Sequence, residues 1–204
     1  MNTLLHIAAA WPSEAMKETA FSHRHGVLAI HRNAKSVRAL LENGHQVDLW
    51  NADGLTPLHV AIAAWGDFYD NSDAVLALLG AGSSPEAGTF QGDRALHVAV
   101  RKGPRTNPTV VRLLIKHGAD VNGRDGMGNT PLFRARTVEI AEALLEAGAM
   151  PNIKNKYGLT ALDVAEADGL HEVAEVLRSA SATTRYKPRL PLRTTCSVVK
   201  HKCA

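Results

Sequence analysis

The chain has 204 residues, 45% of them hydrophobic, 21% charged and only 5% aromatic. This is the composition of a folded globular protein, and no apolar run is long enough to span a membrane, so disordered and transmembrane classes are excluded. With so few rings the apolar share is mostly Ala, Leu and Val, which favours closely packed helices, while 23 Lys and Arg against 20 Asp and Glu give a net charge of only +3.

The N-terminus reads MNTLLHIAAAWPSEA, with a helix opening at Thr3-Leu4-Leu5-His6-Ile7-Ala8. No basic stretch precedes its short apolar run and His6 interrupts it, which argues against a secretory signal. Residues 11–33 form an insertion, for which an extra helix and a degenerate half-repeat both fit. Its His23, Arg24, His25 and His31 match no zinc-ligand spacing and are read as a polar loop. Val37, Leu40 and Leu41 then mark an apolar helix end closed by Gly44, and Gly54 follows ten residues later. Thr56-Pro57-Leu58-His59 opens the next helix: Thr accepts from an orphan N–H, and Pro has no N–H to waste at the first position. An acidic, aromatic loop follows at residues 67–73, with Trp65, Phe68 and Tyr69 either packed beneath it or facing a partner. It lacks calcium-loop spacing, so Asn71 or Ser72 is read as a helix cap. The helix of Val75, Leu78 and Leu79 ends at Gly82, and Gly92 lies ten residues on. Arg94-Ala95-Leu96-His97, Val111/Leu114/Ile115, Gly118/Gly128, Thr130-Pro131-Leu132-Phe133, Ile140/Leu144/Leu145, Gly148/Gly158 and Thr160-Ala161-Leu162-Asp163 continue the pattern.

Each opening carries Leu and Ala three apart (Leu58/Ala61, Leu96/Ala99, Leu132/Ala135, Leu162/Ala165), a thin apolar stripe whose small member lets neighbouring helices approach. Recurrence of one unit identifies a repeat architecture. On these residues the sequence resembles the ankyrin repeat family. Gly54-Leu55-Thr56-Pro57-Leu58-His59-Val60-Ala61 matches that family's signature in full, and Gly118-Ala119-Asp120-Val121-Asn122 matches its hairpin entry. The resemblance covers about residues 1–180. It implies an all-α solenoid of about five helix pairs, with hairpin fingers on one side lining a concave face. It also implies a structural role for His6, His59 and His97, tying hairpin to helix.

The openings are spaced 53, 38, 36 and 30 residues apart, against a family period of about 33, so the units differ in length. Arg94 stands where the others have Thr, which predicts a frayed inner helix or a cap from Asp93. The expected organisation is an N-terminal repeat with its insertion at 1–46, four repeats at 47–180 and a disordered tail at 181–204. The tail holds six Lys and Arg and no Asp or Glu, so the mild total charge hides a slightly acidic body.

No catalytic motif is present: Gly80-Ala81-Gly82 and the Gly123, Gly126, Gly128 run belong to the repeat register, not to a phosphate loop. No catalytic residues, metal or cofactor are expected. The finger tips are the functional candidates: Trp50 and Asp53; Phe90 and Gln91; Arg124 and Met127; Lys154, Lys156 and Tyr157. Exposed aromatics beside Arg are what interface hot spots are made of, although Trp50 and Phe90 can instead lean on adjacent fingers. The inner-helix ends add Arg101, Lys102, Arg134 and Arg136, which suggests a basic face on the later repeats. The resulting expectation is a non-catalytic, cytoplasmic protein-binding module (adaptor, scaffold or inhibitor) whose partner is another protein with an acidic segment, without sequence-specific nucleic-acid binding. Two alternatives stand beside it. One is a small-ligand or nucleotide sensor, in which Phe90, Met127 and Tyr157 converge on a pocket. The other is a membrane-associated adaptor anchored through Cys196 and Cys203 in the basic tail, which also carries a Pro188-to-Arg193 polyproline pattern.

Overall fold

A computed structural model describes residues 34–63, 72–101 and 106–182. The first opening, the 11–33 insertion with its histidines, the loop at 64–71, Lys102 and residues 183–204 lie outside the described residues. Described elements run in the order α1 (Ala34–Glu42), α2 (Pro57–Ala63), α3 (Ser72–Gly80), α4 (Ala95–Val100), α5 (Pro108–Lys116), a 3-10 helix (Pro131–Arg134), α6 (Val138–Glu146), α7 (Ala161–Ala167) and α8 (His171–Ala182). The described residues contain no strand.

Two layers of helices follow. The outer layer stacks α1, α3, α5, α6 and α8 in series, and the inner layer stacks α2, α4, the 3-10 helix and α7. Between them lies one apolar core. Leu58, Leu96 and Leu132 supply it from inside, and Leu78, Leu114, Leu144 and Leu177 from outside, all buried. Ala61, Ala99, Ala135 and Ala165 are buried with them, so the small member of each stripe sets the distance between inner helices.

Among the described elements, every passage from an outer helix to the next inner one is 14 residues long, whereas the inner-to-outer connections have eight, seven, three and three. The constant passage begins at a helix-ending glycine. At Gly148 φ is +98°, a conformation that penalises any Cβ, and it lets Gly148 N–H reach Leu145 O and Ala149 N–H reach Leu144 O. Gly44, Gly82 and Gly118 close their helices with the same pair of bonds.

The inner-helix starts show how the residue at the His position decides local structure. In α2, Thr56 N–H donates to His59 Nδ1 (3.2 Å), and in α4 Arg94 N–H donates to His97 Nδ1 (3.2 Å). The expectation of fraying or an Asp93 cap at α4 is therefore corrected. His97 satisfies the helix start, all six residues of α4 are buried, and Asp93 points to arginines instead. In α7, Asp163 does the same work as His: its Oδ2 accepts from Thr160 N–H, while Thr160 Oγ1 accepts from Asp163 N–H. Phe133 has no acceptor to offer Thr130, and only seven residues separate Thr130 from Val138. The expected α-helix is there reduced to the four-residue 3-10 helix. At the far end α8 runs to Ala182, which corrects the expected tail boundary: residues 181 and 182 are helical and not part of a disordered tail.

Candidate partner-binding surface

Each finger tip is built by one polar side chain placed three residues before the second glycine: Asn51, Thr89, Asp125 and Asn155. In each, the backbone N–H bonds to the carbonyl four residues on (Leu55, Asp93, Asn129, Leu159), and the glycine N–H bonds back to the first residue's carbonyl. The polar side chain then accepts from the N–H groups two and four residues ahead: Asp53 and Leu55, Gln91 and Asp93, Met127 and Asn129, Tyr157 and Leu159. These turns fix their own backbone, and the intervening side chains are left facing solvent.

Neighbouring tips are tied to one another. Gly126 N–H donates to Gln91 O and Lys156 N–H to Met127 O, both at 3.0 Å. Trp50 Nε1 donates to Gly88 O at 3.1 Å. A Cβ built on Gly54 would overlap the Phe90 ring, so that ring rests on the backbone of the first finger. Nearer the helices, the Asp48 carboxylate accepts from Ser84 N–H, Asn122 Oδ1 from Met150 N–H, and Asn129 Oδ1 from Asn155 Nδ2.

The tips project the residues singled out from sequence. Phe90 is 76% exposed, Tyr157 73%, Trp50 56% and Met127 55%. Asp53, Gln91, Arg124, Lys154 and Lys156 are exposed beside them. Trp50 and Phe90 do both things the sequence left open: one side leans on an adjacent finger and the other stays in water. Phe90, Met127 and Tyr157 stand one per finger, on three successive fingers tied tip to tip. Sequence reading passed over Leu49, Met150 and Leu159, exposed apolar residues on the same fingers.

The basic face expected from the inner-helix ends is corrected. Arg134 lies between two carboxylates whose side chains are almost wholly buried, bonding Asp93 (2.9 and 3.3 Å) and Asp125 (2.7 Å). Arg101 shares Asp93 at 3.3 Å, and Arg136 pairs with Asp168 at 3.3 Å. The guanidinium charges there are balanced within the fold, and Lys102 lies outside the described residues. Burial would raise the Asp125 carboxyl. The hydrogen bonds from Arg134, Asn129 and Met127 together outweigh it and hold the carboxyl below its ordinary value. The buried histidines stay neutral. Burial lowers His59 to about 4 against the opposing field of Asp93, and burial likewise lowers His97, whose Nε2 donates to Asn129 O at 3.0 Å. No sequence signal reaches the 41 residues from Asp93 to Arg134. The recurrent Asn, Thr or Asp three residues before each second glycine was legible and went unused.

Two family models match the chain, both for ankyrin repeats: one for three copies over residues 62–155 and one for many copies over residues 27–79. The chain belongs to the ankyrin repeat family. Among relatives, an ankyrin repeat-containing protein of Schizosaccharomyces pombe is 35% identical over 119 residues, which cover 58% of this chain and 55% of that protein. The B-cell lymphoma 3 protein homolog of Mus musculus is 29% identical over 171 residues, 78% of this chain and 36% of its own length. The NF-kappa-B inhibitor cactus of Drosophila melanogaster is 29% identical over 185 residues, 84% of this chain and 34% of its own. This ankyrin repeat chain thus spans about half, or about a third, of the length of these relatives. Among its described residues, no helix is long and apolar enough to cross a membrane.

Proposed function

We propose that this ankyrin repeat chain is a non-catalytic protein-binding module acting in the cytoplasm as an adaptor, scaffold or inhibitor. The observation that carries the reading is the row of large exposed side chains, Trp50, Phe90, Met127 and Tyr157, held on fingers whose backbones are fixed by their own turns and tied to each other. Large side chains of this kind are what interface anchors are made of, and a preordered row loses little entropy on docking. The likeness to a protein named an NF-kappa-B inhibitor supports a binding role. Residues 47–180 carry the recognition surface, and the basic segment 181–204 is accessory to it.

The test is site-specific photo-crosslinking in cells. A benzoylphenylalanine replaces Phe90 or Tyr157 on the fingers, or Leu76 on the outer helix α3. Discrete protein adducts are expected at the finger positions and not at Leu76. Adducts at Leu76 alone, or at none of the three, would overturn the proposal.

A further inference from the structure

With Arg101, Arg134 and Arg136 balanced by carboxylates, the described cations of the finger face that form no ion pair sit on the tips of the last two fingers. Arg124 and Lys156 are each anchored to a neutral carbonyl: Arg124 Nη1 to Lys154 O at 3.1 Å, and Lys156 Nζ to Gly126 O at 2.7 Å. These bonds fix the positions of the two charges without cancelling them. Lys154 stands between them in the chain. It feels the Asp163 carboxylate, but that group is already engaged by the Thr160 N–H and hydroxyl. Among the described residues none of the three cations forms an ion pair. The nearby acids are taken: Asp125 by Arg134, and Asp120 by Arg94. Met127 and Tyr157 stand exposed among these cations. Where the last two fingers carry Arg124 and Lys154 the first two carry Trp50 and Gly88, and where the last carries Lys156 they carry Ala52 and Phe90, so positive charge is confined to one end of the row.

We infer that the third and fourth fingers are the docking site for an acidic segment of a partner protein, one that carries large apolar side chains among its carboxylates. The inference rests on the binding reading above and adds the partner's chemistry. Carboxylates would pair with Arg124, Lys154 and Lys156, and the apolar side chains would cover Met127 and Tyr157. Fixed cations complement such a segment without first having to be ordered. A nucleic acid fits less well, because its affinity rests on roughly 6–10 phosphate contacts, and three cations interrupted by Met127 supply far fewer.

The experiment uses the full chain and two fluorescent peptides of equal length. One repeats Glu-Glu-Trp-Leu and the other repeats Gln-Gln-Trp-Leu. The acidic peptide is expected to bind at least about tenfold more tightly by anisotropy, with amide shift changes in the 15N spectrum confined to the third and fourth fingers. Lys154→Glu with Lys156→Glu should weaken it by at least about tenfold at an unchanged melting temperature, and Lys154→Gln with Lys156→Gln serves if the reversal fails to fold. Equal binding of the two peptides, shift changes on the outer helices, or tighter binding of an oligothymidylate would overturn the inference. If the acidic peptide fails while crosslinks at Phe90 and Tyr157 persist, the acidic chemistry is wrong and the binding module stands. If both fail, the binding reading falls as well.

Discussion

Removing the Arg134 side chain should be far more damaging than its place on a short 3-10 helix suggests. Its guanidinium makes three hydrogen bonds to two carboxylates whose side chains are 2% and 1% exposed. In Arg134→Ala, Asp93 and Asp125 would lose that shared cation, and only the exposed Arg101, 3.3 Å from Asp93, would remain to compensate one of them. Breaking a buried pair by deleting one partner destabilises by about 3–5 kcal/mol. Arg101 moves the expectation to the lower end, about 3 kcal/mol, or roughly 6–12 °C in melting temperature at 2–4 °C per kcal/mol for a chain of this size. Arg136→Ala is the matched control. Its pair with Asp168 is 47% and 41% exposed and should be worth less than about 1 kcal/mol. Urea titration followed by circular dichroism measures both, and Asp125→Asn in the Arg134→Ala background should recover part of the loss. If the two arginine variants agree within about 1 kcal/mol, the idea that this buried pair clamps the second finger to the third is wrong.

Acidification should destabilise the fold well above the carboxylate range. The pKa of His59 is about 4 in the folded chain against 6.5 unfolded, so the unfolded state binds more protons between those values. Stability present above pH 6.5 is lost as pH falls towards 4, by about 3 kcal/mol from His59 alone, with His97 adding in the same direction. A pH series of urea midpoints that stayed flat from 7 to 5 would contradict this. Gly92→Ala should cost more than Gly44→Ala. Both sites have positive φ, but a Cβ at Gly92 would lie 2.7 Å from Gly126 N, whereas at Gly44 it would meet open space. Thermal melts of the two variants in the reverse order would refute the close packing of the second and third fingers. Tyr157→Ala should leave stability within about 0.5 kcal/mol and weaken partner capture, whereas Phe90→Ala should lower both stability and capture, because its ring rests on Gly54. Equal stability losses would show that Tyr157 is also a packing residue.

The repeat was legible because its signals are local and recur. The glycines three residues after Leu41, Leu79, Ile115 and Leu145 close their helices, and Thr56-Pro57 starts one without reference to the rest of the chain. Finger-tip exposure was legible for the same reason: Phe90, Met127 and Tyr157 fall outside every helical stripe. What sequence misplaced depends on distance. The positions of Arg134 and Arg136 say only that two cations lie at the end of a short helix. That Arg134 turns between Asp93 and Asp125 is decided by how the second and third fingers stack. The 3-10 helix lies between these cases. The 30-residue spacing after Thr130 showed that three residues were missing, but not that the inner helix would give them up.

Each finger passage has 14 residues, while the links from inner to outer helices range from eight to three. Length has varied on one side of the solenoid without shifting the register of the other. Residues inserted between an inner helix and its outer partner leave the tips in step, whereas a single residue gained within a finger would slip its tip against both neighbours. The inner-to-outer links are therefore the places to graft a label or an additional domain, with the recognition row keeping its calibration.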